Sequence, residues 1–242
     1  MNLQDKVVVV TGASSGIGIE IARALGGERM SLVLAARRAE KLEDVAEELA
    51  ELGVPIEVIA TDVTREAECE ALVATTLATY GRLDVLVNNA GYGPPAPLLE
   101  LDEALWDVTI DTCLKGVYLM TRAVMPTMLA QGGGAVVNIS SVAGKEGFAR
   151  RTAYCAAKWG LHGFTAALRA ELGEQNIRAH LICPGAVATP WWEKANDEQP
   201  DEVMEKMIQP AEVAEAVRWV LTQPERLQID EVVVRTYRSP WD

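Results

Sequence analysis

Short runs rich in valine, isoleucine and leucine alternate along this chain with longer stretches that carry apolar residues at helical spacing. Residues 6–11 form the first run, KVVVVT, and residues 31–36 form the second. In the stretch that follows, Leu42, Val45 and Leu49 fall on one helix face. Strands that alternate with helices pair in parallel and are covered by helices on both faces. The pattern predicts an α/β chain with a doubly wound parallel sheet.

About seven strands and six main helices divide the chain, and no linker-like stretch separates them. The 242 residues therefore fit a single domain, 1–242. We expect a bend in the long helix at Pro126, because proline removes a backbone donor. The predicted strands cover residues 6–11, 31–36, 56–61, 83–87, 135–139, 177–183 and 231–234, and the predicted helices cover residues 17–28, 39–52, 66–80, 102–129, 152–174 and 211–221.

Composition narrows the classes of partner. A net charge of −13 argues against binding along a nucleic-acid backbone. The four cysteines form no C-x-x-C pair and the chain has two histidines, so the sequence predicts no metal site. Scattered thiols are typical of the reducing cytoplasm. The first apolar run enters a glycine turn and no run is long enough to span a bilayer, which predicts neither a signal peptide nor a membrane partner.

Three glycines, Gly12, Gly16 and Gly18, lie between the first strand and the first helix. Such glycines permit a tight turn and a close approach of the backbone to a diphosphate, which the free N–H groups of the new helix then bind. The spacing T-G-x-x-x-G-x-G differs from the dinucleotide fingerprint G-x-G-x-x-G. The motif predicts a nucleotide site, and the alternative is an ordinary turn between a strand and a helix.

The end of the second strand reads Ala35, Ala36, Arg37, Arg38 and contains no acid. Sites for NAD place a carboxylate here to hold the ribose 2′-hydroxyl. Arginines instead hold a 2′-phosphate through charge and fork geometry. The sequence predicts NADP(H) as cofactor with Arg37 as a ligand, while Arg38 either joins it or faces solvent at the start of a helix.

Tyr154 and Lys158 stand four residues apart in an alanine-rich stretch that favours a helix. Their side chains therefore share one helix face. A neighbouring ammonium favours the phenolate, so we expect Lys158 to lower the pKa of Tyr154 toward working pH. A tyrosine of this kind can exchange a proton with a carbonyl oxygen. The alternative is a buried tyrosine beside a surface lysine.

Together these motifs resemble the short-chain dehydrogenase/reductase family of Rossmann-type enzymes, over nearly the whole chain. Ser141 falls thirteen residues before Tyr154, as the family's catalytic serine does. The resemblance implies a three-layer Rossmann fold. The cofactor-binding residues that it implies, together with those argued above, are Gly12, Ser14, Ser15, Gly16, Ile17, Gly18, Arg37, Arg38, Asp62, Val63, Asn89, Ala90, Gly91, Tyr154, Lys158, Pro184, Gly185, Val187 and Thr189.

The resemblance also implies a mechanism, namely hydride transfer between the nicotinamide and a small-molecule carbonyl or secondary alcohol. Tyr154 would be the acid or base, and Ser141 would hold the substrate oxygen. Lys158 would bind the ribose and lower the pKa of Tyr154. Ser140 is the competing serine, but neighbouring strand residues point to opposite faces, and the offset from Tyr154 selects Ser141.

One position departs from the family pattern. Between Trp106 and Gly116 the family has an asparagine that is associated with a proton-relaying water, and this chain has Cys113. A thiol is a weak donor and acceptor. Cys113 therefore favours a second hypothesis, a regulatory or sensor protein that binds NADPH without turnover, whereas the intact Ser-Tyr-Lys set favours an enzyme.

Residues 185–210 are expected to cover the substrate. Trp191 and Trp192 would either close over an apolar substrate or fasten the segment to the core. Arg150 and Arg151 hint at an anionic substrate, and the preferred interpretation is a solvated charge pair. Small residues on the Tyr154 helix, together with the resemblance, imply a homodimer or homotetramer.

Overall fold

A sheet of seven strands forms the centre of the molecule. The computed structural model describes residues 2–241. All seven strands join one parallel sheet in the order β3-β2-β1-β4-β5-β6-β7, which confirms the predicted fold class. The strands are β1 (Val7–Thr11), β2 (Ser31–Ala36), β3 (Ile56–Ala60), β4 (Val85–Asn88), β5 (Gly134–Ile139), β6 (Ile177–Pro184) and β7 (Glu231–Val234).

Helices cover both faces of this sheet. The alternating side chains of β1 divide between two apolar clusters, with Val8 and Val10 in one and Val7 and Val9 in the other. The first cluster contains α1, α2 and α9, and the second contains α3, α5 and α6. The helices are α1 (Ile17–Gly27), α2 (Ala39–Leu49), α3 (Glu66–Tyr80), α4 (Glu103–Ile110), α5 (Gly116–Ala130), α6 (Thr152–Leu172), α7 (Trp191–Lys194), α8 (Asp201–Met204) and α9 (Pro210–Thr222).

The direction of winding changes between β1 and β4. The chain runs outward from β1 through β2 to β3, then returns to the centre and continues through β4 to β7 on the other side. Ligands of open parallel sheets bind at the carboxyl ends of the strands beside such a switch point. Every sequence motif described above lies after one of these carboxyl ends, so the fold gathers them along one edge.

The long helix contains a wide turn. A π-helical segment, Asp111–Lys115, separates α4 from α5, and Cys113 is buried within it. Here the Gly116 N–H donates to the Asp111 carbonyl oxygen, a five-residue span that opens the helix. α5 continues through Pro126, where the sequence predicts a bend, and the observed departure from α-helical geometry lies earlier, around Cys113.

The segment predicted to cover the substrate contains two short helices, α7 and α8. Its two ends are tied together, because the Ala188 N–H donates to the Ile208 carbonyl oxygen at 2.8 Å and the Ile208 N–H donates to the Ala186 carbonyl oxygen at 3.0 Å. The indole of Trp241 donates to Gln199 Oε1 at 2.9 Å, so the chain's last described residues lie against this segment. None of the helices within residues 2–241 is long and apolar enough to cross a membrane.

His180 in β6 gives the fold a pH dependence. Burial lowers its pKa from 6.5 to about 4, since its ring is fully buried and its Nδ1 lies 2.6 Å from the Ile229 carbonyl oxygen. The unfolded chain therefore takes up this proton first as pH falls. Stability should decrease as pH falls from 6.5 toward 4 and level off below, a loss of roughly 3 kcal/mol.

Urea unfolding of the parent and of His180→Gln across this pH range measures the effect. The glutamine cannot titrate, so its stability should depend less on pH by that amount, while every carboxylate contributes equally to both proteins. Identical pH slopes in the two proteins would contradict the prediction.

Candidate active site

The turn after β1 is shaped by its glycines. Gly12 and Gly16 have φ angles of +66° and +57°, in the left-handed region that favours glycine. A Cβ on Gly12 would lie 2.9 Å from the Ala90 Cα, and a Cβ on Gly18 would overlap the Gly12 carbonyl oxygen. No side chain of the described structure caps the start of α1 at Gly16. The turn therefore forms a cradle of backbone N–H groups that fits a diphosphate.

Hydrogen bonds of Asn89 and Thr11 hold this cradle in place. The Asn89 side-chain amide donates to the carbonyl oxygens of Thr11 at 3.0 Å and of Gly12 at 3.2 Å. In return, the backbone N–H groups of Asn89 and Ala90 donate to the Thr11 hydroxyl at 3.0 and 3.1 Å. The loop after β4 is thus attached to the turn after β1, and Ala90 and Gly91 lie beside the cradle.

A small cavity of about 200 Å³ opens at the ends of β2 and β3. Arg37, Asp62 and Arg65 line it. Although burial raises the pKa of the Asp62 carboxyl, hydrogen bonds from Thr64 and the charges of Arg37 and Arg65 bring it below its ordinary value. The side chain of Val63 is buried against Gly116, where a Cβ would lie 2.8 Å from it. Val63 can therefore face a nucleotide only through its backbone.

A lysine of the covering segment reaches the glycine turn. Lys194 Nζ donates to Ser15 Oγ at 3.0 Å, although the two residues lie far apart in sequence. Burial lowers the pKa of Lys194, and the positive charges of Arg38, Lys41 and Arg37 lower it further. Four cations thus converge beside the cradle in a chain whose net charge is −13. Such a cluster fits a polyanion. Lys194 could not be predicted from the sequence, because α7 is too short to show periodicity.

Ser141, Tyr154 and Lys158 meet between the ends of β5 and β6. The Ser141 hydroxyl is close enough to the Tyr154 phenol to act on its pKa, and it also lies 3.4 Å from the Pro184 carbonyl oxygen. Lys158 Nζ donates to the Ile139 carbonyl oxygen at 2.8 Å and lies 5.5 Å from the centre of the Tyr154 ring. Tyr154 and Lys158 therefore share one helix face, as predicted. Lys158 is buried and is not a surface residue.

The expected direction of the Tyr154 pKa shift is wrong for this structure. Burial raises the pKa of the phenol, and the opposing effects of Lys158 and of the Ser141 hydrogen bond do not offset it, so the pKa lies above its ordinary value. The side chain is partly buried, with the Trp191 ring centre 6.1 Å away and Gly93 so close that a Cβ there would lie 2.5 Å from the Tyr154 ring. Tyr154 is therefore a protonated acid at neutral pH.

Cys113 connects the wide helical turn to the loop after β4. Its thiol donates to the Tyr92 carbonyl oxygen at 3.1 Å, and the Tyr92 N–H donates to the sulfur at 3.4 Å. Both polar groups of the Tyr92 backbone are thereby satisfied by one side chain. Since Gly93 follows directly and packs on Tyr154, Cys113 fixes one wall of the site.

The covering segment is fastened over Tyr154 by Arg151. Its guanidinium donates to the Gly93 carbonyl oxygen at 2.9 Å and to Asp197 at 2.6 Å, and it lies 4.8 Å from the centre of the Trp191 ring. The interpretation of Arg151 as a solvated charge is wrong, because its side chain is only 13% exposed. Arg150 is exposed as expected.

The two tryptophans have different roles in this arrangement. The Trp192 indole donates to the Val187 carbonyl oxygen at 2.8 Å and so anchors α7, whereas Trp191 faces Tyr154. Thr189 lies on the other side of the segment, where its methyl group would contact a Cβ on Gly16 at 3.0 Å. Gly185 continues the edge of the sheet, since its N–H donates to the Val234 carbonyl oxygen at 2.9 Å.

Comparison with known proteins decides the family. The family model described as short chain dehydrogenase matches residues 6–200. The chain belongs to the short-chain dehydrogenase/reductase family. This short-chain dehydrogenase is thus an oxidoreductase, and the predicted resemblance is confirmed.

Three relatives illustrate the similarity. A putative ketoacyl reductase of Streptomyces coelicolor is 40% identical, with 91% of this chain and 92% of the relative covered. The crystal structure of a metagenomic short-chain oxidoreductase in complex with NADP has a TM-score of 0.85 at 38% identity. The match covers 98% of this chain and 100% of the metagenomic protein. An actinorhodin polyketide ketoreductase variant with NADPH has a TM-score of 0.89 at 38% identity and covers 96% of both chains.

Proposed function

We propose that this short-chain dehydrogenase transfers a hydride between NADP(H) and a ketone or secondary alcohol. The observation that carries the proposal is the meeting of Ser141, Tyr154 and Lys158 beside the glycine cradle. When bound, the nicotinamide supplies the hydride. In reduction, the Tyr154 phenol donates its proton to the substrate oxygen, and its raised pKa keeps that proton in place at neutral pH.

Ser141 and Lys158 support this proton transfer. The Ser141 hydroxyl, which lies beside the Tyr154 phenol, would donate to the substrate oxygen as negative charge develops on it. Lys158 is held by the Ile139 carbonyl oxygen, and its charge opposes the effect of burial on Tyr154. A lysine ammonium has further donors, which we assign to the hydroxyl groups of the nicotinamide ribose.

The proposed preference for NADP(H) rests on the positive charges at the ends of β2 and β3. Arg37 and Arg65 line the cavity at the ends of β2 and β3, and Ala36 supplies no carboxylate there. Both positive charges suit a 2′-phosphate better than a free ribose hydroxyl. Two of the relatives above were solved with NADP or NADPH, which supports the same assignment.

The substrate class follows from the walls of the site. Trp191 and Gly93 enclose Tyr154 with apolar surface, and the Arg151 charge is already bonded to Asp197 and Gly93. We therefore expect a ketone with an apolar substituent. The names of relatives that reduce ketoacyl or polyketide substrates support this class.

A screen of ketones and secondary alcohols, followed through NADPH absorbance, tests the proposal. We expect turnover of at least one apolar ketone with NADPH. A broad screen without NADPH-dependent turnover would favour the second candidate, an NADPH-binding sensor, for which Cys113 is the specific observation.

The Lys194 contact leads to a prediction about cofactor binding. Lys194→Gln should weaken NADPH binding about 5- to 30-fold, since one charge-assisted hydrogen bond contributes roughly 1–2 kcal/mol. Fluorescence titration at two salt concentrations measures this, with Lys206→Gln, in the same covering segment, as the control. Equal affinities in parent and Lys194→Gln would contradict the assignment of Lys194 to a cofactor phosphate.

Replacing Cys113 with Asn should leave the fold intact and turnover equal or higher. The π-helical segment has already opened the helix at this point, so backbone carbonyls there can hold a water. Turnover should therefore not require the asparagine. The kcat of Cys113→Asn and of Cys113→Ser is compared with that of the parent across pH. An inactive parent that becomes active only as Cys113→Asn would contradict the prediction.

We also propose a homodimer or homotetramer in the cytoplasm. Large aromatic side chains are exposed on α4, α5 and α6, namely Trp106, Tyr118 and Trp159. All four cysteines are unpaired thiols. Light scattering at micromolar concentration tests the oligomeric state, and a monomer throughout would contradict it.

A further inference from the structure

Next to Ser141 lies a group of polar side chains that the proposed mechanism does not use. His162 follows Lys158 by one helical turn and extends the face that carries Tyr154. Its Nε2 lies 3.1 Å from the Ser140 hydroxyl and 3.6 Å from the Cys183 sulfur. Its Nδ1 lies 4.0 Å from Glu231 Oε2. A serine, a histidine and a glutamate are thereby aligned across β5, α6 and β7.

His162 contacts the turn of Ser141 from both sides. Ser140 precedes Ser141, and Gly144 ends the short 3₁₀ turn that follows it, Val142–Gly144. A Cβ on Gly144 would lie 2.5 Å from His162 Nε2, so only glycine permits this approach. The Ser141 side chain itself caps the turn, because its Oγ accepts from the Ala143 N–H at 3.1 Å. The imidazole therefore supports the backbone that sets the position of the Ser141 hydroxyl.

The burial of this chain excludes two other roles. Ser140 is 3% exposed, so a substrate carbonyl cannot reach it and the alignment is not that of a hydrolase. Within residues 2–241, no group of three or more His, Cys, Asp and Glu side chains is arranged to hold a metal ion. These side chains are therefore interpreted as hydrogen-bonding partners that stabilise the backbone around Ser141.

We infer that His162 is a positioning residue that holds Ser141 in its working place through Ser140, and that protonation of its ring weakens this hold. The inference rests on the proposed function, since it assigns Ser141 to the substrate oxygen. It adds a residue to that function that contacts neither cofactor nor substrate.

The two forms of the ring make different hydrogen bonds. In the neutral form, Nδ1–H faces the Glu231 carboxylate and Nε2 accepts from the Ser140 hydroxyl. In the charged form, both nitrogens donate, so the Ser140 hydroxyl must turn its hydrogen away and the Cys183 thiol loses its acceptor. The change at Ser140 lies one residue from Ser141.

Several groups face His162 and decide where it titrates. Burial lowers its pKa, Glu231 in β7 raises it, and Lys145, Lys158 and Arg169 lower it. Cys183 in β6 faces the ring as a neutral thiol, because burial raises its pKa to about 12. Lys145 also lies 2.6 Å from Glu231 Oε1, so the carboxylate is shared between this ammonium and the His162 ring. The ring is therefore neutral at neutral pH and becomes charged below the usual histidine range.

Reduction gives a direct readout of this titration. Tyr154 remains protonated at low pH and keeps its role as an acid, so a loss of kcat at low pH must arise elsewhere. We expect kcat of the parent to fall about 10-fold through the His162 titration. A shift of the serine by a fraction of an ångström is sufficient for a loss of that size.

Three variants test the inference, each with a thermal melt to verify folding. His162→Leu should lower kcat about 10- to 100-fold at pH 7 and leave the Kd of NADPH unchanged. His162→Gln should restore most of kcat and lose the decrease at low pH, because an amide bonds Ser140 without titrating. Glu231→Gln should move the decrease to lower pH, since the carboxylate raises the His162 pKa.

A spectroscopic measurement separates this inference from the proposed function. The chain has two histidines, so nitrogen NMR of His180→Gln shows only the His162 ring. We expect a ring that titrates below pH 6.5 and whose shifts change in Ser140→Ala. An active parent whose kcat and pH profile are unchanged in His162→Leu would overturn the inference alone. A parent without any turnover would overturn the proposed function, and the inference with it.

Discussion

Replacing Tyr154 with Phe should lower kcat by at least about 10³-fold and leave the Kd of NADPH within about twofold of the parent value. The phenylalanine keeps the ring that packs against Gly93 and Trp191 and removes only the hydroxyl. That hydroxyl is the one acid group that the proposed mechanism provides for the substrate oxygen. The glycine cradle and Lys158 remain, so cofactor binding should not change.

Steady-state turnover and fluorescence titration of NADPH measure the two effects in one preparation. Tyr237→Phe is the matched control, because Tyr237 is fully exposed and the same hydroxyl is removed there. We expect parent activity from the control. Parent-like turnover in Tyr154→Phe would remove Tyr154 from the mechanism.

The double variant Ala36→Asp/Arg37→Leu should change the preference from NADPH to NADH. Loss of the Arg37 guanidinium removes one or two charge-assisted hydrogen bonds to the 2′-phosphate, roughly 1.5–3 kcal/mol each. The new carboxylate repels that phosphate and accepts a hydrogen bond from a free ribose hydroxyl. Together these effects predict a change of about 10²- to 10³-fold in the ratio of kcat/KM for the two cofactors.

The exposed Arg226 provides the control for lost positive charge, as Arg226→Leu should leave that ratio unchanged. Arg65→Leu then reports whether the second arginine of the cavity contributes. A parent enzyme with a higher kcat/KM for NADH than for NADPH would contradict the argument from Arg37.

The sheet and the place of most motifs could be predicted because both depend on local pattern. Parallel strands are buried on both faces, so β1 and β4 read as continuous apolar runs, and the residues after such runs must lie at one edge of the sheet. The spacing of Tyr154 and Lys158 sets their common helix face. The α/β architecture and the meeting of these motifs needed no further information, whereas the order of the strands comes from the structure.

What could not be predicted depends on packing between distant parts of the chain. The sequence alone predicts a solvated Arg151, because its partners, Asp197 and Gly93, become neighbours only when the covering segment folds over Tyr154. The same enclosure reverses the pKa shift of Tyr154, since the four-residue spacing shows Lys158 but not the extent of burial. Lys194 meets Ser15 for the same reason.

The transfer of deuterium from labelled NADPH to a ketone tests the central claim most directly. NADPH carrying deuterium at the reactive ring position is incubated with the enzyme and an apolar ketone, and the alcohol product is analysed by mass spectrometry. We predict one deuterium on the carbinol carbon for each NADPH consumed, and no labelled alcohol from Tyr154→Phe. NADPH that binds with full affinity and transfers no deuterium to any ketone of a broad panel would contradict the account.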